Sequence, residues 1–488
     1  MNERASISIE RSEKRKVIME NPNEASRGSS STAPAIIVDE SERSTVVMER
    51  PPKWLLPILV ALEPHQPETK EHIHKVPPFL HGIEKHKGCF DPMMVSIGPY
   101  HHGKKELEEV EKLKASIAKE FIDKDIDKLD WFEEVARNAR LCYDADANDN
   151  NDDNNSNNNN DGKFTRMMFL DGCFILHFIW CMGKNKLNET KLRAHQLPFV
   201  LGDLFLLENQ LPFLVLQALM DFKGSISDWE DCIQKFVTNS RLNLDGSSHL
   251  TSFKINDRHP HLLHLLHKVL AAGEEKIEFQ KKLGHTFRSV IELKTGGIEF
   301  KKSESGRLKD VELQVHRCYA DLFLPQLVID DLAKAKLLNL VAYEACPNGP
   351  TDDSIVTSYI CFLDALIDHA EDVKKLRSQQ ILINLLGSDQ EVADLFNELA
   401  RKLVPSPSNY TTVMDQIEDC YTSKWFKWAR EIRSTHFSSP LTAVASIVAA
   451  VIIILTFAQA YFAVFPRGGG GGDENRRTPK PSRKIHYS

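Results

Sequence analysis

Glu208, Asn209 and Gln210 stand side by side inside an otherwise apolar stretch, Asp203 to Phe213, that runs on through Leu214, Val215, Leu216, Leu219 and Met220. A carboxylate beside two amides has the parts of a general base flanked by donors, and Asp171 offers a second acid inside another apolar run. Burial gives the same residue types a different use. An unsatisfied buried polar group costs about 1–3 kcal/mol, so groups inside an apolar run demand partners from elsewhere in the fold. The reading is therefore a structural polar network of Glu208, Asn209, Gln210 and Asp171, with no catalytic role for Glu208.

The remaining candidates for chemistry are weaker. A hydrolase or transferase would use Ser96, His101 or His102 with Asp171 or Glu208, but no G-x-S-x-G elbow, P-loop, G-x-G-x-x-G or H-E-x-x-H accompanies them. His101 and His102 are adjacent and do not share one ligand position well, and no Cys or carboxylate stands at a recognisable metal-site spacing; hydrogen-bonded structural histidines are expected, and His72 and His74 are read the same way. His261, His264 and His267 recur three apart among leucines, which suits a semi-polar stripe beside an apolar helix face. Asp144-Ala-Asp-Ala-Asn148 opens like a calcium loop, but Asp149 stands where the turn needs Gly and Asn155 where the bidentate Glu belongs. No cofactor or metal is expected.

The elements that position these residues are mostly helices. Leu107, Val110, Leu113, Ile117, Phe121 and Ile122 mark an amphipathic helix within 104–124, and Leu129 to Ala136 a second. Met167 to Trp180 is apolar nearly all round and too short to span a bilayer, which makes it a buried core helix. The 203 stretch reads as a short helix, a polar elbow and a second buried helix, with Pro212 in the first turn and Asn209 or Gln210 as its cap. Prolines 77, 78, 92 and 99 impose extended geometry on His72–Leu80 and Phe90–Gly103. Gly297–Lys301 and Lys309–Leu313 alternate apolar and polar residues around Ser303–Gly306, the pattern of a β-hairpin. Leu322–Asp331 looks extended, and helices are expected over 332–345, 354–370, 372–386 and 390–403.

Of the 488 residues, 1–52 and the Asp/Asn-rich 144–161 have the composition of disordered tracts. Trp54–Leu62 is too short to span and carries Pro57, so it reads as a helix docking on the core. A helical domain of 54–437 remains, long enough for a large core. A net charge of −8 gives no basic footprint for nucleic acid. Nine cysteines without C-x-x-C pairs suit buried, reduced thiols.

Leu441–Phe465 holds 25 uncharged residues, a helix of about 37 Å that crosses a ~30 Å hydrocarbon core with tilt. Trp425 and Trp428 precede it, Tyr461 and Phe465 close it, and a flexible basic tail fills 466–488. Lys427, Arg430 and Arg433 on one flank balance Arg467, Arg476, Arg477 and Lys480 on the other, so charge does not fix the orientation. A cytosolic domain is expected from the late position of the span, the reduced cysteines and the lack of a signal-peptide pattern. Whether the membrane is the plasma membrane or an endomembrane stays open. Ala445 and Ala449 form a small-x-x-x-small pair suited to weak homo-association. The fold class is thus mainly α: a large helical domain with one small β-hairpin, plus one C-terminal transmembrane helix.

Val76-Pro77, Val95–Gly103, Phe169–Leu176, Asp203–Phe213, Gly297–Phe300, Ile329–Asp331, Val356–Tyr359 and Leu386–Asp389 occur in the order found in the plant proteins that carry the domain of unknown function 247. The chain resembles that family over about 70–437, departing from it at Val110-Glu111, where a Met-Glu pair is usual, and in the long Asp/Asn insertion. The resemblance implies a helical, usually membrane-anchored plant protein with no established catalytic residues, some of whose relatives are associated with self-recognition in pollen and pistil. A membrane-tethered interaction or recognition/signalling module, touching the lipid bilayer and a protein partner not yet identified, is the functional expectation; a tethered hydrolase or transferase and a structural membrane scaffold are the alternatives.

Overall fold

Apolar spacing along the chain becomes a set of helices closed over one continuous core that runs from Ile73 to Phe426. The computed structural model describes residues 72–122, 129–144, 157–240, 242, 254, 259–273, 288–347, 349–350, 354–406, 409–424, 426–428, 431 and 440–465. The expected N-terminal tract 1–52, the helix over Trp54–Leu62, positions 145–156 of the insertion, Trp425 and the tail 466–488 lie outside the described residues.

Where prolines 77 and 78 led to an expectation of extended chain, Pro78 instead starts a single helical turn, Pro78–His81. The longer helices of the first half are α1 (Glu108–Ile122), α2 (Phe132–Arg140), α3 (Asn157–Gly183), α4 (Leu197–Asp203), α5 (Phe213–Lys223), α6 (Ile226–Asn239) and α7 (Leu262–Leu270). Helix α3 is the axis of this half, with α1, α2, α5 and α6 packed on it. It begins at Asn157, inside the tract expected to be disordered, so the helix takes up the last residues of that insertion. Its Asp161–Gly183 portion has the length and apolarity of a membrane span, but 67% of its apolar 18-residue window is buried in the domain. Gly172 lets α5 come close: a Cβ there would lie 2.4 Å from Leu219 Cδ1.

The second half carries α8 (Val290–Thr295), β1 (Ile298–Lys302), β2 (Glu312–Val315), β3 (Ala320–Leu324), β4 (Leu327–Ile329), α9 (Ala333–Glu344), α10 (Ile355–Leu366), α11 (Ala370–Ser378), β5 (Leu382–Asn384), α12 (Asp389–Leu399) and α13 (Thr411–Thr422). The strands expected to form a hairpin, β1 and β2, are both present but do not pair with each other. Strand β3 lies between them, parallel to β1 with Phe300 opposite Leu322 and antiparallel to β2 with Leu313 opposite Leu322. The physical reason is burial. Four of the five β3 residues are buried, whereas β2 buries only Leu313, so β3 takes the centre and β2 the edge. The hairpin is therefore β2–β3.

The helix expected over 372–386 stops at Ser378, Gln380 takes the left-handed conformation (φ 58), and Leu382–Asn384 pairs in parallel with β4. Isoleucine and leucine in that short run are worth more beside β4 than as a helix continuation. Helix α14 (Pro440–Val464) follows, with the span Leu441–Val464 0% buried, in contrast to α3.

Candidate functional site

Met93–Gly98, set between Pro92 and Pro99, pairs with no strand among the described residues, and side chains serve its backbone groups. Asp203, at the end of α4, accepts all of the first three: Met93 N–H to Oδ1 (2.9 Å), and Met94 and Val95 N–H to Oδ2 (2.7 and 2.9 Å). Asn209 copies a strand partner, accepting from Ile97 N–H (2.7 Å) and donating to the Val95 carbonyl (3.0 Å) and the Asp203 carbonyl (2.9 Å). Gly98 N–H donates to Asp171 Oδ2 at 2.8 Å. Only glycine fits at position 98, where φ is +71 and a Cβ would lie 2.8 Å from both the Gln210 carbonyl and the Tyr143 hydroxyl.

Behind this segment Lys114 is wholly buried on α1. Its three ammonium donors reach the Ser96 carbonyl (2.5 Å), Asp171 Oδ1 (2.7 Å) and Glu111 Oε1, and the Ser96 hydroxyl also donates to Glu111 (2.7 Å). Burial pushes the Asp171 carboxyl up, opposed by Lys114. Burial likewise raises Asp203 to about 6, against the pull of its three N–H donors.

Gln210 and Asn209 do not cap α5. That helix starts from Pro212 without a side-chain cap, and Phe213 N–H donates to the Pro260 carbonyl at 2.8 Å. The Gln210 amide instead donates to the Leu204 and Leu206 carbonyls (2.9 and 2.7 Å), and its oxygen accepts from Leu263 N–H (3.0 Å) at the start of α7. One side chain thereby ties the elbow after α4 to α7. Glu208 reaches outward, its Oε1 accepting from Val76 N–H at 2.7 Å and its Oε2 lying 3.9 Å from His101 Nε2. Asn339 of α9 extends the hub, accepting from Leu207 N–H (2.7 Å) and donating to the Cys89 carbonyl (2.9 Å).

Glu208→Ala is expected to lower stability by about 1–3 kcal/mol, because it strands Val76 N–H. A chemical-denaturation midpoint equal to that of the parent would refute this.

Most of the hydrolase candidates are already engaged by other groups. The Ser96 hydroxyl is engaged by Glu111, Asp171 by Lys114 and Gly98, and His102 is exposed. Buried His101 has its ring nitrogens 3.9 and 4.0 Å from Glu208 and Asp91 carboxylate oxygens, and burial lowers its pKa to about 4. The histidines of α7 share a face that meets α9: His264, partly buried, has its Nδ1 2.8 Å from the Tyr343 hydroxyl, and buried His267 has its Nε2 2.7 Å from Glu344 Oε1. Glu344 also accepts from the N–H groups of Val356 and Thr357 (2.9 and 2.8 Å), fastening α9 to the start of α10.

Sequence reasoning missed Lys114, Asn339 and the acceptor role of Asp203. Lys114 had a signal: it lies four residues after Val110 and three before Ile117, on the apolar stripe of α1. Of the expected membrane flanks, Trp428, Tyr461 and Phe465 are exposed.

A helical domain knitted through side-chain bonds to one irregular segment, followed by an uncovered apolar helix, is the class of protein that fold and site define. The family model described as "Plant protein of unknown function" (DUF247) matches residues 73–455, and the chain belongs to that family. It is 30% identical over 412 residues to UPF0481 protein At3g47200 of Arabidopsis thaliana, covering 77% of this chain and 83% of the relative. It is also 20% identical over 521 residues to the putative UPF0481 protein At3g02645 of the same plant, covering 85% and 95%. No solved structure matches.

Proposed function

We propose that the protein is a single-pass, membrane-anchored interaction module, whose helical domain meets a protein partner at the membrane surface. The observation that carries the anchoring is the Leu441–Val464 helix, long and apolar enough to cross a bilayer and 0% buried. Solvating such a helix in water is costly. Its side chains Val451, Ile452, Ile453, Ile454, Leu455 and Phe457 are all exposed, and each would recover about 1.5–3 kcal/mol in lipid. The non-enzymatic reading is supported by the hub, whose acids and amides are spent on backbone groups. Net charge of −8 disfavours nucleic acid as the partner.

The domain faces the cytosol in this proposal, since all nine cysteines are free thiols. After carbonate extraction of native membranes the full chain should stay in the pellet, and a chain ending at 437 should move to the supernatant. Release of the full chain by carbonate would refute the anchor. Asn188, exposed in a sequon closed by Thr190, reports the side. A mobility shift of the native protein on endoglycosidase treatment would overturn the orientation while leaving the anchor standing. Proximity labelling that recovers a specific partner at the cytosolic face favours the module over a scaffold, which would return bulk membrane neighbours alone.

A further inference from the structure

We propose that His72, His74 and Asp144 form a binding site for a zinc-type divalent transition metal ion. Residues two apart on an extended chain point to one side, and the chain here is held extended: Ile73 bridges Tyr143 in parallel, with Ile73 N–H donating to the Cys142 carbonyl at 2.7 Å. Ile73 and Tyr143 are buried on the core side of that bridge, so their neighbours His72, His74 and Asp144 share the opposite side. The ligand atoms of the three all lie within 4.8 Å of one another, and all three side chains are half-buried. The sequence gives no warning, because Asp144 reaches the histidines only through this bridge.

Two imidazole nitrogens and one carboxylate oxygen make the donor set of a three-ligand zinc site with a fourth position left to water. Magnesium and calcium prefer oxygen donors and are disfavoured. Bonds of about 2.0–2.2 Å require tetrahedral donors about 3.4 Å apart, against a present spacing within 4.8 Å. His72 Nε2 now sits 2.7 Å from Asp144 Oδ1, and that hydrogen bond is exchanged for two bonds to the metal. A second layer is already built: the Tyr100 hydroxyl lies 3.3 Å from Asp144 Oδ2 and 2.8 Å from the Ile73 carbonyl, fixing both the carboxylate and the histidine-bearing strand. A bound ion would clip the start of the helical domain to the end of the segment after α2.

The test uses the full chain in detergent, stripped with a chelator and titrated with zinc chloride against a chromogenic competitor. Histidine modification by diethylpyrocarbonate, mapped by peptide mass spectrometry, is run with and without zinc. One equivalent should bind, shielding His72 and His74 and leaving the exposed His81 and His102 reactive. Affinity should fall roughly 10–100-fold in Tyr100→Phe and further in His74→Gln and Asp144→Asn. Shielding is read on the parent chain, so the outcome does not depend on any variant folding. No competition by zinc, zinc binding that leaves His72 and His74 reactive, or unchanged affinity in a folded His74→Gln chain would each overturn the site.

Discussion

Lys114→Met should destabilise the helical domain by about 3–5 kcal/mol, the loss expected when one partner of a buried ion pair is removed and the other stays charged. Methionine keeps most of the stem volume, so the change isolates the ammonium group. What it leaves behind is a carboxylate on Asp171 that is 1% exposed, together with the Ser96 carbonyl and Glu111 stripped of a donor. Adding Asp171→Asn removes the stranded charge while keeping an acceptor for Gly98 N–H, and should recover a large part of the loss. The measurement is urea unfolding of the full chain in detergent, with unchanged m-values required for the comparison. A single variant within 1 kcal/mol of the parent, or a double variant as unstable as the sum of the two singles, would mean that Lys114 and Asp171 do not act as a pair.

How much of this was legible depends on whether the information is local. The helix, polar elbow and helix around Glu208 could be read directly, because three polar residues interrupt an apolar run and Pro212 marks the restart. Their partners could not. Asp203 serves the N–H groups of Met93, Met94 and Val95, which prolines mark as irregular without saying which side chains substitute for a strand. The same limit explains the sheet: alternation in β1 and β2 reports that each is a strand, but only the heavier burial of β3 decides that it separates them. Periodicity put the histidines of α7 on one face, yet exposure of that face depends on Tyr343 and Glu344 arriving from α9. The C-terminal apolar helix was the opposite case. Its signal is a continuous run of uncharged residues, which needs no partner to be read.

Acidification from pH 7 to 4 should cost the domain about 3 kcal/mol, because buried histidines outweigh buried acids. Burial lowers His101 from 6.5 to about 4 and His264 from 6.5 to about 3. A group with a depressed folded pKa contributes stability that is present above pH 6.5 and is lost as the unfolded chain takes up the proton that the folded one refuses. At about 1.4 kcal/mol per pH unit, each histidine accounts for roughly 3 kcal/mol by pH 4. Asp203 acts in the opposite sense: raised from 3.8 to about 6, it binds its proton more readily in the folded state and returns roughly 3 kcal/mol as pH falls through that range. His261 and His86, both lowered chiefly by burial, add to the loss, while Asp171, raised by burial, subtracts from it. The sum favours the histidines. Urea midpoints at pH 7, 5.5 and 4 should therefore decline steadily, and His101→Gln, which carries no titrating ring, should shrink the difference between pH 7 and 4 by about 3 kcal/mol. Midpoints that rise toward pH 4 would show that the carboxylates of the hub control the titration, and an unchanged pH profile in His101→Gln would remove that ring from the account.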